Sequence, residues 1–173
     1  EEIPAGATST KLTPPMNTGL GFLDAVSDED IMELADPDDI DGDGISGVPN
    51  WITAPDYVQF RENAISIDGK YIHRFGKKAA AYDLLHQSVN AYNQDMGVTS
   101  SYNRNDTHTG LNIEPEVSDK TLNDLVFYLK TLKAPLRRSP ESAEVLRGEL
   151  LFSNIECASC HTPTLNTAYS PIE

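Results

Sequence analysis

The sequence contains few cysteines, a single tryptophan and no long apolar run. Only two of its 173 residues are cysteines. Two cysteines cannot form the disulfide framework of a small secreted domain, so their number does not fix the redox compartment. No stretch of about 18 apolar residues occurs, and a transmembrane helix needs that length. We therefore expect no transmembrane segment in these residues.

Basic residues are also scarce. The chain has 13 lysines and arginines against 27 aspartates and glutamates, which gives a formal net charge of -14. Such a polyanion is repelled by nucleic acid and by anionic membranes, so we expect no nucleic-acid partner. The same charge favours cations, or a basic protein partner that is steered by electrostatic attraction.

Apolar periodicity and capping signals predict a chain that is mostly α with long loops. The predicted helices cover residues 28–35, with Ser27 as the N-cap, and residues 77–96. A third runs from its N-cap Ser118 to about Ala134, and the last runs from Ser139 to the cysteines. The third helix is the clearest, because leucines recur on one face at helical spacing. Residues 51–75 are expected to form loops or short strands.

Both cysteines belong to one motif close to residue 160. Cys157-Ala158-Ser159-Cys160-His161 has the C-x-x-C-H form of c-type haem attachment. Two thiols at this spacing can each add to one vinyl group of a haem, and the adjacent histidine is then held under the iron. The sequence therefore predicts covalent haem c, with Cys157 and Cys160 as attachment points and His161 as an iron ligand.

Other uses of C-x-x-C are a redox dithiol or half of a zinc site. A zinc site is not supported by a second C-x-x-C or by an H-x-x-x-H pair. A thioredoxin-like dithiol would need a strand before the motif and a helix after it. Here a helix is predicted before it and Thr162-Pro163-Thr164 follow. The spacing favours haem, although these alternatives remain open from sequence.

An acidic loop forms a second chemical signal. It matches the start of a calcium loop, D-x-D-x-D-G, in which carboxylates at alternate positions converge on one ion. The twelfth position holds asparagine instead of a bidentate glutamate, which should weaken binding unless Asp36, Asp38 or a distant acid helps. The alternative is a solvated acidic turn. The expected ligands are Asp39, Asp41, Asp43, the Ile45 carbonyl and Asn50.

A few other residues could serve a haem. Arg74 is one of the notable basic residues in this acidic chain, and its guanidinium could meet a haem propionate. The histidines at 73, 86 and 108 are expected to be surface or hydrogen-bonded residues and not metal ligands. Met96 falls on the apolar face of the second predicted helix, so we expect it in the core.

Four stretches together resemble the bacterial di-haem oxidoreductase family, also described as thiol oxidoreductases and related to di-haem cytochrome c peroxidases. They are residues 19–50, 73–100, 116–138 and 147–165, the last being RGELLFSNIECASCHTPTL. The resemblance implies two cytochrome c-like domains, each with its own C-x-x-C-H. It implies that residues 1–138 hold the end of the first domain and a connecting segment, and that residues 139–173 begin the second. The fold would then be cytochrome c-like and incomplete at both ends.

The resemblance also implies roles for particular positions. Met16 lies in a stretch that could cover the first haem, so it is a candidate sixth ligand. Gly148 corresponds to a close-packing glycine in the helix before the attachment motif. The arginine-phenylalanine-glycine motif is kept at 74–76, but Lys77 stands where the family commonly has tryptophan and His73 where it has glycine.

The function we predict is that of a haem c-containing redox protein, part of a di-haem oxidoreductase of peroxidase type that passes electrons between haems. The alternatives are a pure electron-transfer cytochrome and a calcium-stabilised interaction module without haem. Haem c is attached outside the cytoplasmic membrane, so we expect a periplasmic or envelope-surface location. The expected partners are a small basic electron-donor protein and a small oxidant as substrate.

Overall fold

The structure is a computed structural model that describes Gly6 and residues 13–168. Helix outweighs strand, at about 35% against 8%, as predicted, and the remaining residues form loops and turns. The α-helices of the described residues are α1 (Leu20–Asp24), α2 (Asp28–Glu33), α3 (Leu84–Asn90), α4 (Asp119–Thr131), α5 (Ala143–Asn154) and α6 (Cys157–Cys160). The strands are β1 (Asn50–Ile52), β2 (Ser66–Ile67) and β3 (Lys70–His73).

Side-chain caps set where the helices begin. At α2 the Ser27 hydroxyl accepts the Asp30 N–H, and at α4 the Ser118 hydroxyl accepts the Thr121 N–H, which confirms both predicted caps. Each cap satisfies a backbone donor that has no partner inside its helix. The last helix was expected from Ser139, but α5 begins three residues after Pro140 because Ser142 is its cap.

The predicted helix over residues 77–96 is much shorter in the structure. Residues 77–79 form a 3-10 turn in which Lys78 and Ala79 have φ of 57° and 50°. Such left-handed residues interrupt a right-handed helix. The helix starts only where Asp83 accepts the His86 N–H, and it ends in a π-helical turn over Ala91–Asp95.

A small antiparallel sheet lies between α2 and α3 in sequence. Its strand order is β1-β3-β2, with Trp51 opposite Ile72 and Ser66 opposite Tyr71. The β2–β3 hairpin turns at Asp68-Gly69, where both residues have positive φ, as a two-residue turn of this type requires. The sheet brings residues 70–75 beneath the start of α3.

The core forms where α3 and α4 meet the residues after β3. Its buried members are Phe75, Ala81, Leu84 and Leu129, and leucines of α1 and α4 pack against them. The leucine stripe predicted on α4 therefore faces the core. The prediction for Met96 was wrong: its side chain is 57% exposed because the helix ends in the π-helical turn before it.

None of the helices in the described part of the chain is long and apolar enough to cross a membrane. This agrees with the absence of a long apolar run in the sequence.

Gly21 allows α1 to lie directly on α4. A Cβ at this position would be 2.1 Å from the Lys130 carbonyl oxygen, so we expect Gly21→Ala to lower the free energy of unfolding by about 1–3 kcal/mol. Gly148→Ala is the matched control, because a Cβ there meets no atom within 4 Å in the middle of α5. It should raise stability by up to about 1 kcal/mol. Urea unfolding measures the free energy of unfolding of both variants. Equal changes in the two variants would contradict the close contact at Gly21.

Candidate functional site

The C-x-x-C-H motif forms a single helical turn. Both cysteines lie on α6, and the His161 N–H donates to the Cys157 carbonyl at 2.9 Å, which closes the turn. Residues three apart lie on one face of a helix, so the two thiols are on the same side. Both are free thiols, Cys160 is exposed and Cys157 is partly buried. The turn therefore presents two reactive sulfurs and an imidazole together.

The helix before this turn exposes apolar side chains. Leu150 is 64% exposed, Leu151 50% and Phe152 41%, and α5 has no buried residue. Ile155 in the loop to α6 is 67% exposed. Large apolar side chains that are exposed close together in sequence are candidates for contact with another group or protein. The Phe152 ring is 6.1 Å from the His161 ring, so the apolar surface borders the imidazole.

These residues fit a covalently bound haem. Covalent attachment of haem uses two thiols three residues apart, and the haem iron binds an imidazole. Apolar side chains cover the faces of the ring. All three are present within residues 150–161. The sequence motif is thus compatible with the local geometry, while the roles of Cys157, Cys160 and His161 remain predictions.

The acidic loop brings carboxylates together in a different set from the expected one. Oxygen atoms of Asp36, Asp39 and Asp41 lie within 4.8 Å of one another. Asp36 joins the group because its carboxylate accepts the N–H groups of Ile40 and Asp41, which folds the loop over it. The three could hold a cation through oxygen ligands.

Two expected members of the calcium site point elsewhere. The Asp43 carboxylate accepts the Ile45 N–H, and it lies outside the group of three. The Asn50 side chain donates to the Lys78 and Ala79 carbonyls, 2.9 and 3.0 Å away, because Asn50 begins β1 beside the 3-10 turn. Sequence reasoning counted positions along a regular calcium loop and so did not weigh Asp36 as a first choice.

Arg74 is buried in an ion pair and does not lie at a surface. Its guanidinium donates to the Asp28 carboxylate and to the Leu23 and Val26 carbonyls. The side chain is 3% exposed. A contact with a propionate is therefore not what holds Arg74 in this structure. Met16, the other predicted haem contact, is 65% exposed, and its role as a ligand remains a prediction.

Two buried histidines face each other below the sheet. The His73 and His86 rings are 5.5 Å apart and nearly perpendicular. His73 Nδ1 contacts the Ala80 carbonyl, and His86 Nδ1 accepts the Tyr82 N–H, so both are hydrogen-bonded as expected. Burial, followed by the charge of His73, lowers the pKa of His86 to about 4. Burial also lowers the pKa of His73, so both rings are neutral near pH 7.

Among the described residues, polar contacts join the cysteine segment, residues 139–168, to the preceding part of the chain. Arg137 pairs with Glu149 at 3.2 Å, and the Ala168 N–H donates to the Ala25 carbonyl at 2.8 Å. The chain after His161 thus returns to the loop between α1 and α2. The predicted domain boundary at residue 138 remains a prediction.

Comparison with known proteins identifies one family. A family model described as "Di-haem oxidoreductase, putative peroxidase" matches residues 8–114 and 101–172. The two matched ranges cover nearly all of the chain, and the second includes the C-x-x-C-H motif. No curated protein and no solved structure matches the chain. The family match confirms the resemblance carried by the four sequence stretches.

The buried histidines should make folding sensitive to acid. Because the pKa of His86 is lower in the folded state, the unfolded state binds more protons below pH 6.5. The contribution of His86 to the free energy of unfolding should therefore fall by about 3 kcal/mol as the pH drops from 7 to 4. In His86→Asn the side-chain oxygen can still accept the Tyr82 N–H. The fall in the free energy of unfolding between pH 7 and pH 4 should be smaller in this variant.

His108→Asn is the control, because His108 is exposed in a loop. Urea unfolding at several pH values gives the slopes for the three proteins. The raised pKa of Asp83, caused mainly by burial, acts in the opposite direction but is common to all of them. Parallel slopes for the native protein and His86→Asn would contradict the role of His86.

Proposed function

The chain belongs to the di-haem oxidoreductase family, and we propose on that basis that it is part of a haem c-containing oxidoreductase of peroxidase type. The observation that carries the proposal is the single turn that presents Cys157, Cys160 and His161 beside an exposed apolar helix. The cytochrome c-like character of residues 139–173 is part of this proposal. When bound, the haem supplies an iron centre that exchanges single electrons.

Each residue of the turn has a separate task in this proposal. The Cys157 and Cys160 thiols would hold a haem through two thioether bonds, each formed when an S–H adds across a vinyl C=C bond. The His161 imidazole would supply a nitrogen ligand to the iron and so help to tune its reduction potential. Phe152 and the neighbouring leucines of α5 would keep water away from the bound ring, and a less polar surrounding also shifts the potential.

The surface charge supports a basic electron donor. At a net charge of -14 the protein attracts a small basic redox protein over distances of about one Debye length and orients it on approach. The proposed oxidant is a small molecule such as a peroxide. Because haem c is attached outside the cytoplasmic membrane, we place the protein in the periplasm or at the envelope surface.

Haem attachment can be tested with single substitutions. Protein from the native host should keep its red colour after denaturation, since thioether bonds survive unfolding. Cys157→Ser and Cys160→Ser should each weaken this retention, and His161→Ala should change the Soret spectrum while both sulfurs remain bonded. Mass spectrometry of the peptide around residue 160 measures attachment directly.

Ser159→Ala is the matched control, because it changes the same turn without removing a thiol or the imidazole. Free thiols in native-host protein would contradict the haem proposal. If haem is attached, cyanide or peroxide binding to the iron distinguishes an enzyme from a pure electron-transfer cytochrome, whose iron would stay six-coordinate and low-spin.

We also propose that the acidic loop binds calcium. The support is the convergence of three carboxylates, from Asp36, Asp39 and Asp41, within 4.8 Å. Like charges this close repel one another unless a cation lies between them. Calcium takes six to eight oxygen ligands in flexible geometry, which suits an exposed loop of carboxylates and carbonyls.

Substitutions in the loop can separate the structural ligand set from the sequence-based one. Asp36→Asn and Asp39→Asn should weaken calcium binding by about ten-fold or more, because each removes a charge from the convergent group. Asp43→Asn should change it less, since Asp43 lies outside that group. Isothermal titration with calcium measures the affinities, and a melting temperature that is indifferent to calcium would contradict the site.

A further inference from the structure

An open cleft of about 870 Å³ lies between α1, α3, α4 and the loop over residues 57–63. It is separate from the α6 turn, although Ala168, from the segment that follows His161, forms part of its wall. Its volume is typical of a site for a small organic molecule. Nothing in the proposed haem or calcium chemistry uses it.

Aromatic rings dominate one side of this cleft. The ring centroids of Tyr57 and Tyr102 are 5.1 Å apart, and the two ring planes meet at an angle of 51°. Phe60 and Tyr82 line the cleft further along, 5.5 Å apart. Faces of tyrosine and phenylalanine rings carry negative electrostatic potential and attract cations.

The protein already places one of its own cations on a ring in this cleft. The Arg61 guanidinium lies 4.4 Å from the centroid of the Tyr82 ring and pairs with Asp24 at 2.7 Å. Lys130 approaches the same aspartate at 3.5 Å. Asp24 therefore contacts both cations at the Tyr82 end of the cleft, whereas no cation of the described residues lies over the Tyr57 or Tyr102 ring.

A carboxylate lines the same cleft as the tyrosine pair. Asp83 accepts the His86 N–H at 2.7 Å. Burial raises the pKa of Asp83 and the charges of Arg61 and Lys130 lower it, but none of the ion pairs between described residues includes Asp83. Burial raises the pKa of the Tyr57 hydroxyl, and the negative charge of Asp83 raises it further. The nearby His86 is neutral near pH 7, because its pKa is lowered to about 4, so it does not neutralise Asp83.

We propose that this cleft binds a small organic cation, an arylammonium or alkylammonium ion. Its ammonium group lies at the Asp83 carboxylate, and its apolar part lies against Tyr57 and Tyr102. A carboxylate that has lost part of its hydration gains from a charged hydrogen-bond donor. Carboxylates outnumber cationic side chains in the cleft lining, so an anion is disfavoured there.

The test uses benzylammonium as the probe and benzyl alcohol as its neutral counterpart. The full chain should bind benzylammonium at least about ten-fold more tightly, because only the ammonium gains from the Asp83 charge. Titration followed by NMR should shift the resonances of Tyr57 and Tyr102. Equal affinities for the two probes, or no binding of either at millimolar concentration, would overturn the proposal.

Asp83→Asn isolates the charge. Asparagine is as good an N-cap as aspartate, so α3 should still form, which circular dichroism can check. Its affinity for benzylammonium should fall by about ten-fold while that for benzyl alcohol stays unchanged. Glu62→Gln is the matched control, because it removes an exposed carboxylate from the same cleft. If both variants lose affinity equally, the attraction comes from the overall acidic surface and the proposal fails.

Discussion

Two buried arginine–aspartate pairs join the ends of the sheet region to the first helices, and much of the fold depends on them. Arg74 follows β3 and donates to Asp28, while Arg61 donates to Asp24. Arg74 also donates to the Val26 carbonyl between α1 and α2. Because these charges are shielded from water, loss of one partner leaves an uncompensated charge that costs about 3–5 kcal/mol. The pairs therefore hold residues 20–28 against the sheet and define one wall of the cleft.

The cysteine segment differs from the rest of the chain in the burial of its apolar side chains. Residues 20–132 bury a conventional core, whereas α5 keeps its leucines and Phe152 in contact with solvent. The exposure of these apolar side chains to water is unfavourable, and it is relieved when another group covers them. In our proposal, haem supplies that cover and the net charge of -14 guides a basic donor to the protein. The acidic loop lies before β1, and the aromatic cleft is lined by residues of the range 24–130 together with Ala168. Arg137 pairs with Glu149 of α5, and the Ala168 N–H donates to the Ala25 carbonyl.

Local signals were predicted best, because a helix cap depends on a few neighbouring residues. Ser27 and Ser118 cap their helices as expected, and the leucines of α4 face the core. The helix predicted over residues 77–96 is right for residues 84–95 only, because the bridge between Phe75 and Ala81 holds the turn over residues 77–79 outside helical geometry. The sequence shows that Arg74 could meet a haem propionate or solvate a helix start, but it does not show its carboxylate partner, which lies 46 residues away.

The C-x-x-C-H motif, the acidic loop, the predominance of helix over strand and the family can all be read along the chain. Each of these depends on residues that are close together or in a fixed order in the sequence. The structure was needed to show that Asp36 joins Asp39 and Asp41, that the Asn50 side chain points toward the 3-10 turn, and that four aromatic rings and Asp83 line one cleft. Those arrangements come from contacts between distant segments, and hydrophobic periodicity carries no information about which distant side chains will meet.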